Sequence, residues 1–204
     1  MTNLTGKNVM VIGSGISGRG SVEMLEAVGA NTILYDSNGN LTEESVRAKL
    51  KPDCKARLVF GKIPEDVQTS VDLVVLSPGV PVDLPVVEVF ESMGVPVWGE
   101  IELAYQFGKG RIAAITGTNG KTTTTTLVGE IMKAAYPEVY VVGNIGKAYT
   151  GAALEMSEEA VTVAEISSFQ LETVQDFHPQ VSAILNITPD HLCSPRSVRT
   201  GSLR

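Results

Sequence analysis

Across 204 residues, the sequence has little cysteine, a shortage of basic residues and no long apolar run, and each shortage excludes a class of protein. Cys54 and Cys193 are too few for a disulfide framework or a zinc ribbon, and they are typical of a reducing cytosol. Sixteen Lys and Arg against 23 Asp and Glu argue against nucleic acid or an acidic membrane as partner. Membrane spans need roughly 20 apolar residues and signal peptides a longer apolar run than the first strand offers. We therefore expect a soluble cytoplasmic monomer.

Short β-branched runs alternate with helical patterns along most of the chain, which predicts an α/β fold with a mostly parallel sheet. Ligands of such sheets bind at strand-to-helix turns on one edge. A polar, glycine-rich stretch at 106–111 predicts a boundary between a Rossmann-like domain at 1–106 and a second α/β domain at 107–192. The predicted strands are residues 9–12, 32–35, 73–76, 112–116, 139–142, 161–166 and 183–187, and the predicted helices are 21–28, 43–50, 86–93 and 123–135.

A first phosphate-binding pattern, G-x-G-x-x-G, follows the first predicted strand and opens a helix. Gly13 permits the tight turn, Gly15 lets the backbone approach a pyrophosphate, and Gly18 lets helix and strand pack closely. Asp36 follows the next strand, where a carboxylate can accept from a ribose or base, and residues 77–79 (Ser-Pro-Gly) form a turn after a third strand. By itself the pattern points to NAD, and the alternative is a glycine turn kept for steric reasons.

A second phosphate-binding pattern follows the predicted strand 112–116 and combines Gly117 and Gly120 with Lys121 and Thr122. Successive amides of such a loop form an anion-binding concavity, and the lysine adds a charge for the β- and γ-phosphates. The threonine hydroxyl is placed to bind Mg²⁺. The first glycine lies only four residues before the lysine, so the turn is shorter than the common G-x-x-x-x-G-K-[ST] loop.

Three polar residues follow other predicted strands. Glu165 ends an apolar strand, and an acid beside a phosphate loop is the usual second ligand of Mg²⁺. His191 follows the last predicted strand, where it could bind metal or a substrate phosphate, and Asn144 lies in a glycine turn. Taken alone, each has a simpler interpretation, as a surface glutamate, a capping histidine and a turn asparagine.

Together these motifs resemble the Mur ligases, the ATP-dependent amide ligases that build the peptide of bacterial cell-wall precursors. The resemblance covers residues 1–192, and the run at 167–172 (Ser-Ser-Phe-Gln-Leu-Glu) favours the member that adds D-glutamate. The runs that match the family in order and spacing are 115–122, 143–146, 165–172 and 185–192.

The resemblance implies that the first domain binds the UDP part of UDP-N-acetylmuramoyl-L-alanine rather than NAD. The second would be an incomplete P-loop ATPase-type domain that binds ATP and Mg²⁺ and joins D-glutamate through an acyl phosphate. The implied UDP-substrate contacts are Gly15, Ile16, Ser17, Asp36, Ser37, Ser77, Pro78, Gly79, Asn144 and Ser167. The implied ATP contacts are Gly117, Thr118, Asn119, Gly120, Lys121, Thr122 and Thr123. The implied metal ligands are Thr122, Glu165 and His191, and the implied catalytic residues are Lys121, Glu165 and His191.

Residues 193–204 depart from the resemblance, with three Ser, three Arg and no acid. We expect an atypical, disordered tail there, arising from a frameshift or a premature end. Three alternatives remain open for the function: another Mur-type or folylpolyglutamate synthase-like ligase, a non-catalytic nucleotide-binding module, and an NAD-dependent oxidoreductase.

Because the resemblance stops at residue 192, we expect that this chain alone does not turn over. A steady-state assay with ATP, UDP-N-acetylmuramoyl-L-alanine and D-glutamate should release no ADP above the background of the reaction without the amino acid. ADP formed in proportion to the D-glutamate consumed would contradict the prediction.

Overall fold

The computed structural model describes residues 2–188 and contains two parallel sheets that follow one another along the chain. The first sheet has the strand order β3-β2-β1-β4-β5, so the chain leaves β1 in one direction and returns to its other side with β4. In open α/β sheets such a switch point is where ligands bind. Its strands are β1 (Asn8–Ile12), β2 (Asn31–Asp36), β3 (Arg57–Phe60), β4 (Leu73–Leu76) and β5 (Val97–Gly99).

Helices cover both faces of the first sheet, because its strands are apolar on both sides. Val9 and Val11 of β1 belong to one buried cluster, and Met10 and Ile12 belong to a second cluster on the opposite face. This alternation is what the two-residue period of a strand produces when neither face meets water. The helices of this part are α1 (Ile16–Ala27), α2 (Glu43–Arg47), α3 (Glu65–Gln68), α4 (Pro85–Ser92) and α5 (Glu100–Phe107).

The second sheet has the order β7-β8-β6-β9, again with every pairing parallel. All five residues of β8 are buried, whereas Val181 and Ile184 on the edge strand β9 are more than half exposed. Its strands are β6 (Arg111–Thr116), β7 (Val139–Gly143), β8 (Val161–Glu165) and β9 (Val181–Ile184). Its helices are α6 (Lys121–Ala135), α7 (Thr150–Ala153) and α8 (Ser168–Leu171).

The predicted α/β class with parallel sheets is confirmed, but several limits differ. The strand predicted at 183–187 is present, but its limits are wrong: β9 runs from Val181 to Ile184, and Asn186 and Thr188 beyond it bond to the loop after β6. The unpredicted elements, β3, β5, α3, α5, α7 and α8, have three to eight residues each, too few for a clear period.

Within residues 2–188 no helix has the length and hydropathy to cross a membrane. The boundary at residue 106 stays a prediction, and the tail at 193–204 lies outside the described residues.

Glu102 of α5 is buried where the two sheets meet, and its carboxylate binds the segment that leads into β9. Its Oε2 accepts from the backbone amides of Gln175 (2.8 Å), Asp176 (3.2 Å) and Phe177 (3.1 Å). Its Oε1 accepts from Nε2 of Gln106 at 2.7 Å. A buried carboxylate is tolerated only when donors replace its lost water, and here backbone amides supply them.

Glu100, two residues earlier on the same helix, makes the second connection. Its side chain is 2% exposed, and Oε1 accepts from the amide (2.9 Å) and hydroxyl (3.2 Å) of Thr150 in α7. Burial raises the pKa of this carboxyl, while hydrogen bonds from Thr150 and Gln170 act in the opposite direction. Helix α5 therefore connects the first sheet to two separate segments of the second.

Replacing Glu102 by Ala leaves the three amides of 175–177 without their acceptor, so we expect Glu102→Ala to lower the free energy of unfolding by roughly 3 kcal/mol. The matched control is Glu130→Ala, since Glu130 is exposed and only pairs with Lys133 three residues away, and its loss should be about 0.5 kcal/mol or less. Urea unfolding followed by circular dichroism measures both. Equal losses in the two variants would contradict the assigned role.

Candidate functional site

The first loop is packed so tightly at Gly13 and Gly18 that a side chain at either position would clash. Gly13 has φ of 104°, and its amide donates to the carbonyl of Tyr35 at 2.8 Å. A Cβ on Gly18 would lie 1.9 Å from the carbonyl oxygen of Gly13, which is also held by Oγ of Ser77 at 3.1 Å. A Cβ on Gly15 would meet nothing within 4 Å, so the backbone there is open to a ligand.

The amino end of α1 is available to an anion. Its N-cap is Gly15, with no capping hydrogen bond from a side chain and no acid in the first turn. Ile16, the first helical residue, is 80% exposed. Helix amino ends carry unpaired amides and a partial positive charge, which together bind phosphate.

Asp36 braces this loop rather than standing free at the sheet edge. Its Oδ2 accepts from the amide (3.1 Å) and hydroxyl of Ser14, and its Oδ1 accepts from the amide of Asn38 at 3.0 Å. Partial burial alone would raise the pKa of Asp36, but the hydrogen bonds from Ser14 and Asn38 outweigh it and lower the pKa. Its contact with a ribose or base stays a prediction, as does that of the exposed Ser37.

Three predicted stretches of the first domain meet at the carboxyl edges of adjacent strands. Residues 13–18 follow β1, residues 36–37 end β2, and residues 77–79 follow β4. Ser77 is buried and donates its amide to the carbonyl of Ile12 at 3.0 Å, so the third stretch packs directly on the first. The implied contacts gathered there are Gly15, Ile16, Ser17, Asp36, Ser37, Ser77, Pro78 and Gly79.

The second loop is held by the chain that follows β9. Asn119 and Asn186 exchange two hydrogen bonds, from the Asn119 amide to Oδ1 (2.9 Å) and from Nδ2 of Asn186 to the Asn119 carbonyl (2.8 Å). The amide of Thr118 donates to the carbonyl of Asn186 at 3.2 Å. Gly120, the N-cap of α6, has φ of 82°, a left-handed conformation that favours glycine.

Lys121 folds back over this loop. Its Nζ donates to the carbonyls of Gly117 (2.7 Å) and Thr118 (3.1 Å), and no carboxylate pairs with it within residues 2–188. Thr122 and Thr123 follow it, exposed in the first turn of α6. A positive charge without a counter-ion therefore lies beside uncapped helix amides, an arrangement that attracts phosphate.

Glu165 ends β8 beside the strand that leads into this loop. Its Cα pairs with that of Ile115 in β6, and its side chain is 1% exposed. Oε1 accepts from Nδ2 of Asn144 at 3.2 Å, and the Asn144 amide donates to the Glu165 carbonyl at 2.9 Å. Oε2 is buried and has no hydrogen-bond partner. The structure thus joins two of the predicted residues, Asn144 and Glu165.

These residues fit a Mg²⁺ ion of the kind that nucleotides carry. The unpaired Oε2 of Glu165 is a hard oxygen ligand, and the hydroxyl of Thr122 is exposed at the amino end of α6. The part of the chain that is described has no group of three or more His, Cys, Asp or Glu able to hold a metal. An ion here would take further ligands from phosphate oxygens and water, as Mg²⁺ commonly does. His191, the third predicted ligand, lies outside the described residues.

Ser167 has a local structural role in addition to its predicted contact with substrate. It caps α8 in a reciprocal box, in which Oγ accepts from the Gln170 amide at 3.3 Å and its own amide donates to Oε1 of Gln170 at 3.0 Å. Sequence reasoning missed Ser14 and Asn186, which brace the two loops. Ser14 lies inside the first glycine pattern and Asn186 inside the run 185–192, but neither residue type signals a bracing role.

A groove of about 800 Å³ lies at the opposite, amino edge of the first sheet. Several of its charged groups are engaged with one another or with backbone: Lys51 pairs with Glu23 at 3.0 Å, and Glu26 accepts from the Lys55 amide at 2.7 Å. Because these groups do not converge on a common point, the groove is a weaker candidate than the two loops.

Two protein families match the chain in succession. The Mur ligase MurD-like N-terminal domain matches residues 7–99, and the Mur ligase middle domain matches residues 115–194. The two ranges contain every loop described above.

Curated relatives are similar over most of the chain. The UDP-N-acetylmuramoylalanine--D-glutamate ligase of Lachnospira eligens is 60% identical over 190 residues, and that of Lachnoclostridium phytofermentans is 55% identical over 190. In both cases the match covers 93% of this chain and 42% of the relative. The chain thus spans well under half the length of these relatives.

Solved structures share the fold. A UDP-N-acetylmuramate:L-alanyl-gamma-D-glutamyl-meso-diaminopimelate ligase from Neisseria meningitides has a TM-score of 0.55 at 14% identity, over 95% of this chain and 65% of that one. A murein peptide ligase from Psychrobacter arcticus has a TM-score of 0.52 at 17% identity, over 91% of this chain and 44% of that one.

The lowered pKa of Asp36 makes a prediction about acid stability. A carboxylate with a lowered folded pKa stabilises above its unfolded pKa, near 3.8, and that contribution is lost as pH falls through the folded value. We expect Asp36→Asn to lower the free energy of unfolding by about 1 kcal/mol at pH 7. Below pH 3.8 the free energies of unfolding of the variant and the native protein should converge. Urea unfolding between pH 7 and pH 2 measures it, with Asp53→Asn, an exposed carboxylate in a turn, as the control for charge. A difference that widens on acidification would contradict the assignment.

Proposed function

The chain belongs to the Mur ligase family, and from that premise we propose that it carries the UDP-substrate and ATP loops of an amide ligase of peptidoglycan synthesis. The proposed reaction joins D-glutamate to UDP-N-acetylmuramoyl-L-alanine at the expense of ATP. The observation that carries the proposal is the second loop, where Lys121, without a counter-ion among the described residues, lies beside the uncapped amino end of α6. The names of relatives at 60% and 55% identity support D-glutamate as the amino acid.

The first domain would hold the UDP part of the substrate. The diphosphate would meet the open backbone at Gly15 and the uncapped amides of α1. Asp36 and Ser77 would keep the loop in shape, since both bond to it in the described structure. A dinucleotide such as NAD could use the same loop, but it would leave the second phosphate loop without a role.

The second domain would activate the substrate carboxylate. The carboxylate attacks the γ-phosphorus of ATP, ADP leaves, and the product is an acyl phosphate. The amine of D-glutamate then attacks the carbonyl carbon, and phosphate leaves as the amide forms. Lys121 would neutralise charge on the transferred phosphoryl group, and the uncapped amides at the amino end of α6 would orient it. Bound Mg²⁺ would add positive charge on the phosphate oxygens.

Asn144 and Glu165 would serve the reacting end of the substrate. Because Asn144 fixes one carboxylate oxygen of Glu165, the other oxygen is held toward the interior below the phosphate loop. Ser167 is two residues further on and would approach the muramoyl part. We further infer a cytoplasmic location and a monomer, in agreement with the charge and the cysteine content.

Calorimetric titration tests the first domain. We expect saturable heat from UDP-N-acetylmuramoyl-L-alanine and none from NADH. Binding of NADH alone would overturn the proposal and favour an NAD-dependent oxidoreductase.

A second titration with Mg-ATP tests the phosphate loop. Lys121→Met should weaken binding by roughly 10- to 100-fold, since it removes a charged donor from the phosphates. Lys133→Met, on the last turn of the same helix, is the matched control and should bind as the native protein does. Equal affinities in native protein and Lys121→Met would exclude this lysine from the site.

A further inference from the structure

Two buried polar atoms without partners lie on the elements below the second phosphate loop. Thr125 of α6 is 0% exposed, and its Oγ1 has no hydrogen-bond partner. Glu165 of β8 is 1% exposed, and its Oε2 is also unpartnered. Leaving a buried polar atom unpaired is destabilising, and more so when it is charged, so each of these atoms needs an explanation.

The strand register places Glu165 on the face that α6 covers. A Cβ on Gly129 of α6 would lie 2.5 Å from Cγ2 of Val141, so this turn of the helix covers the Val141 side of β7. Val141 pairs with Val163, and Gly143 pairs with Glu165. Residues two apart on a strand share a face, and paired residues of neighbouring strands do so too. The Glu165 side chain therefore lies on the α6 side of the sheet.

The helix register places Thr125 at the same level. Thr125 precedes Gly129 by four residues, so it occupies the same side of α6, roughly 6 Å nearer the amino end of the helix. Glu165 lies two residues beyond Val163, about 6.6 Å nearer the carboxyl end of the strand. Helix α6 is antiparallel to the strands, so both displacements point toward the phosphate loop. The Thr125 hydroxyl and the Glu165 carboxylate therefore lie at the same level between the helix and the sheet.

We propose that Thr125 is a positioning residue for Glu165 and that the two share a buried water molecule. Neither atom has a hydrogen-bond partner, and a buried water satisfies groups of this kind with about three hydrogen bonds. The water donates to Oε2 of Glu165 and also bonds to the Thr125 hydroxyl. Asn144 holds Oε1. The carboxylate is thus fixed at both oxygens before any nucleotide arrives.

A double-mutant cycle on stability tests the shared water without any ligand. Thr125→Val and Glu165→Leu each remove one partner, whereas the double variant removes both. Each single variant should raise the unfolding equilibrium constant by some factor. We expect the factor for the double variant to be about tenfold smaller than the product of the two single factors, because the double variant leaves neither polar group without its partner. Thr125→Ser, which keeps the hydroxyl, should unfold close to the native protein.

The matched control is Thr126→Val, the same change at the next, exposed residue of α6. Its effect should multiply with that of Glu165→Leu. The proposal would be overturned if the effects of Thr125→Val and Glu165→Leu on the unfolding constant also multiplied. It would be overturned as well if Thr125→Ser were no more stable than Thr125→Val.

The importance of the water for a cation rests on the proposed function and has its own readout. Mn²⁺ replaces Mg²⁺ as a paramagnetic probe, and its affinity with ATP is measured by electron paramagnetic resonance. We expect Thr125→Val to weaken that affinity severalfold and Thr125→Ser to preserve it. Unchanged affinity in Thr125→Val would overturn the positioning role. A native protein that binds no Mn²⁺ with ATP would contradict the proposed function, while the cycle would still decide whether the water is shared.

Discussion

The burial of two carboxylates on α5 is the constraint on which the arrangement of the molecule depends. Glu102 would be too costly to bury without the three amides of residues 175–177, and Glu100 depends in the same way on Thr150. Each donor comes from the second half of the described chain, and each acceptor comes from the helix that follows β5. The two sheets are therefore joined by hydrogen bonds that neither can satisfy alone, and their loops keep a defined relation.

Parallel pairing then determines where the chemistry is placed. In both sheets the carboxyl ends of neighbouring strands lie side by side. A glycine loop follows an inner strand of each sheet, β1 in the first sheet and β6 in the second. Bracing comes from the adjacent strands: Asp36 at the end of β2, Ser77 after β4, and Asn186 after β9. Each loop is thus shaped by residues distant in sequence, while the helix that follows it begins without a side-chain cap.

Sequence patterns predicted the parallel α/β class, the long strands and the positions of both glycine loops, because glycine spacing and β-branched runs are local signals. They did not predict α5, whose eight residues combine two buried acids with apolar neighbours and so lack a polar face. They also missed the bracing by Ser14 and Asn186, which depends on contacts made only after the strands pair. The end of β9 was misplaced for the same reason, since hydrogen bonds to a distant loop outweigh local strand propensity.

The position of Lys121 has a kinetic consequence. In the described structure its ammonium group is held by two carbonyls of its own loop, Gly117 and Thr118, at the place where a phosphate would lie. A nucleotide bound as proposed would therefore compete with these two carbonyls for the ammonium group, and the net gain would be the difference between phosphate and carbonyl as acceptors. The same contacts keep the long side chain in one rotamer beforehand, which reduces the entropy lost on binding. With a phosphate bound as proposed, the loop would exchange a weak internal acceptor for a strong external one, and the two carbonyls would accept from the lysine again once the phosphate leaves.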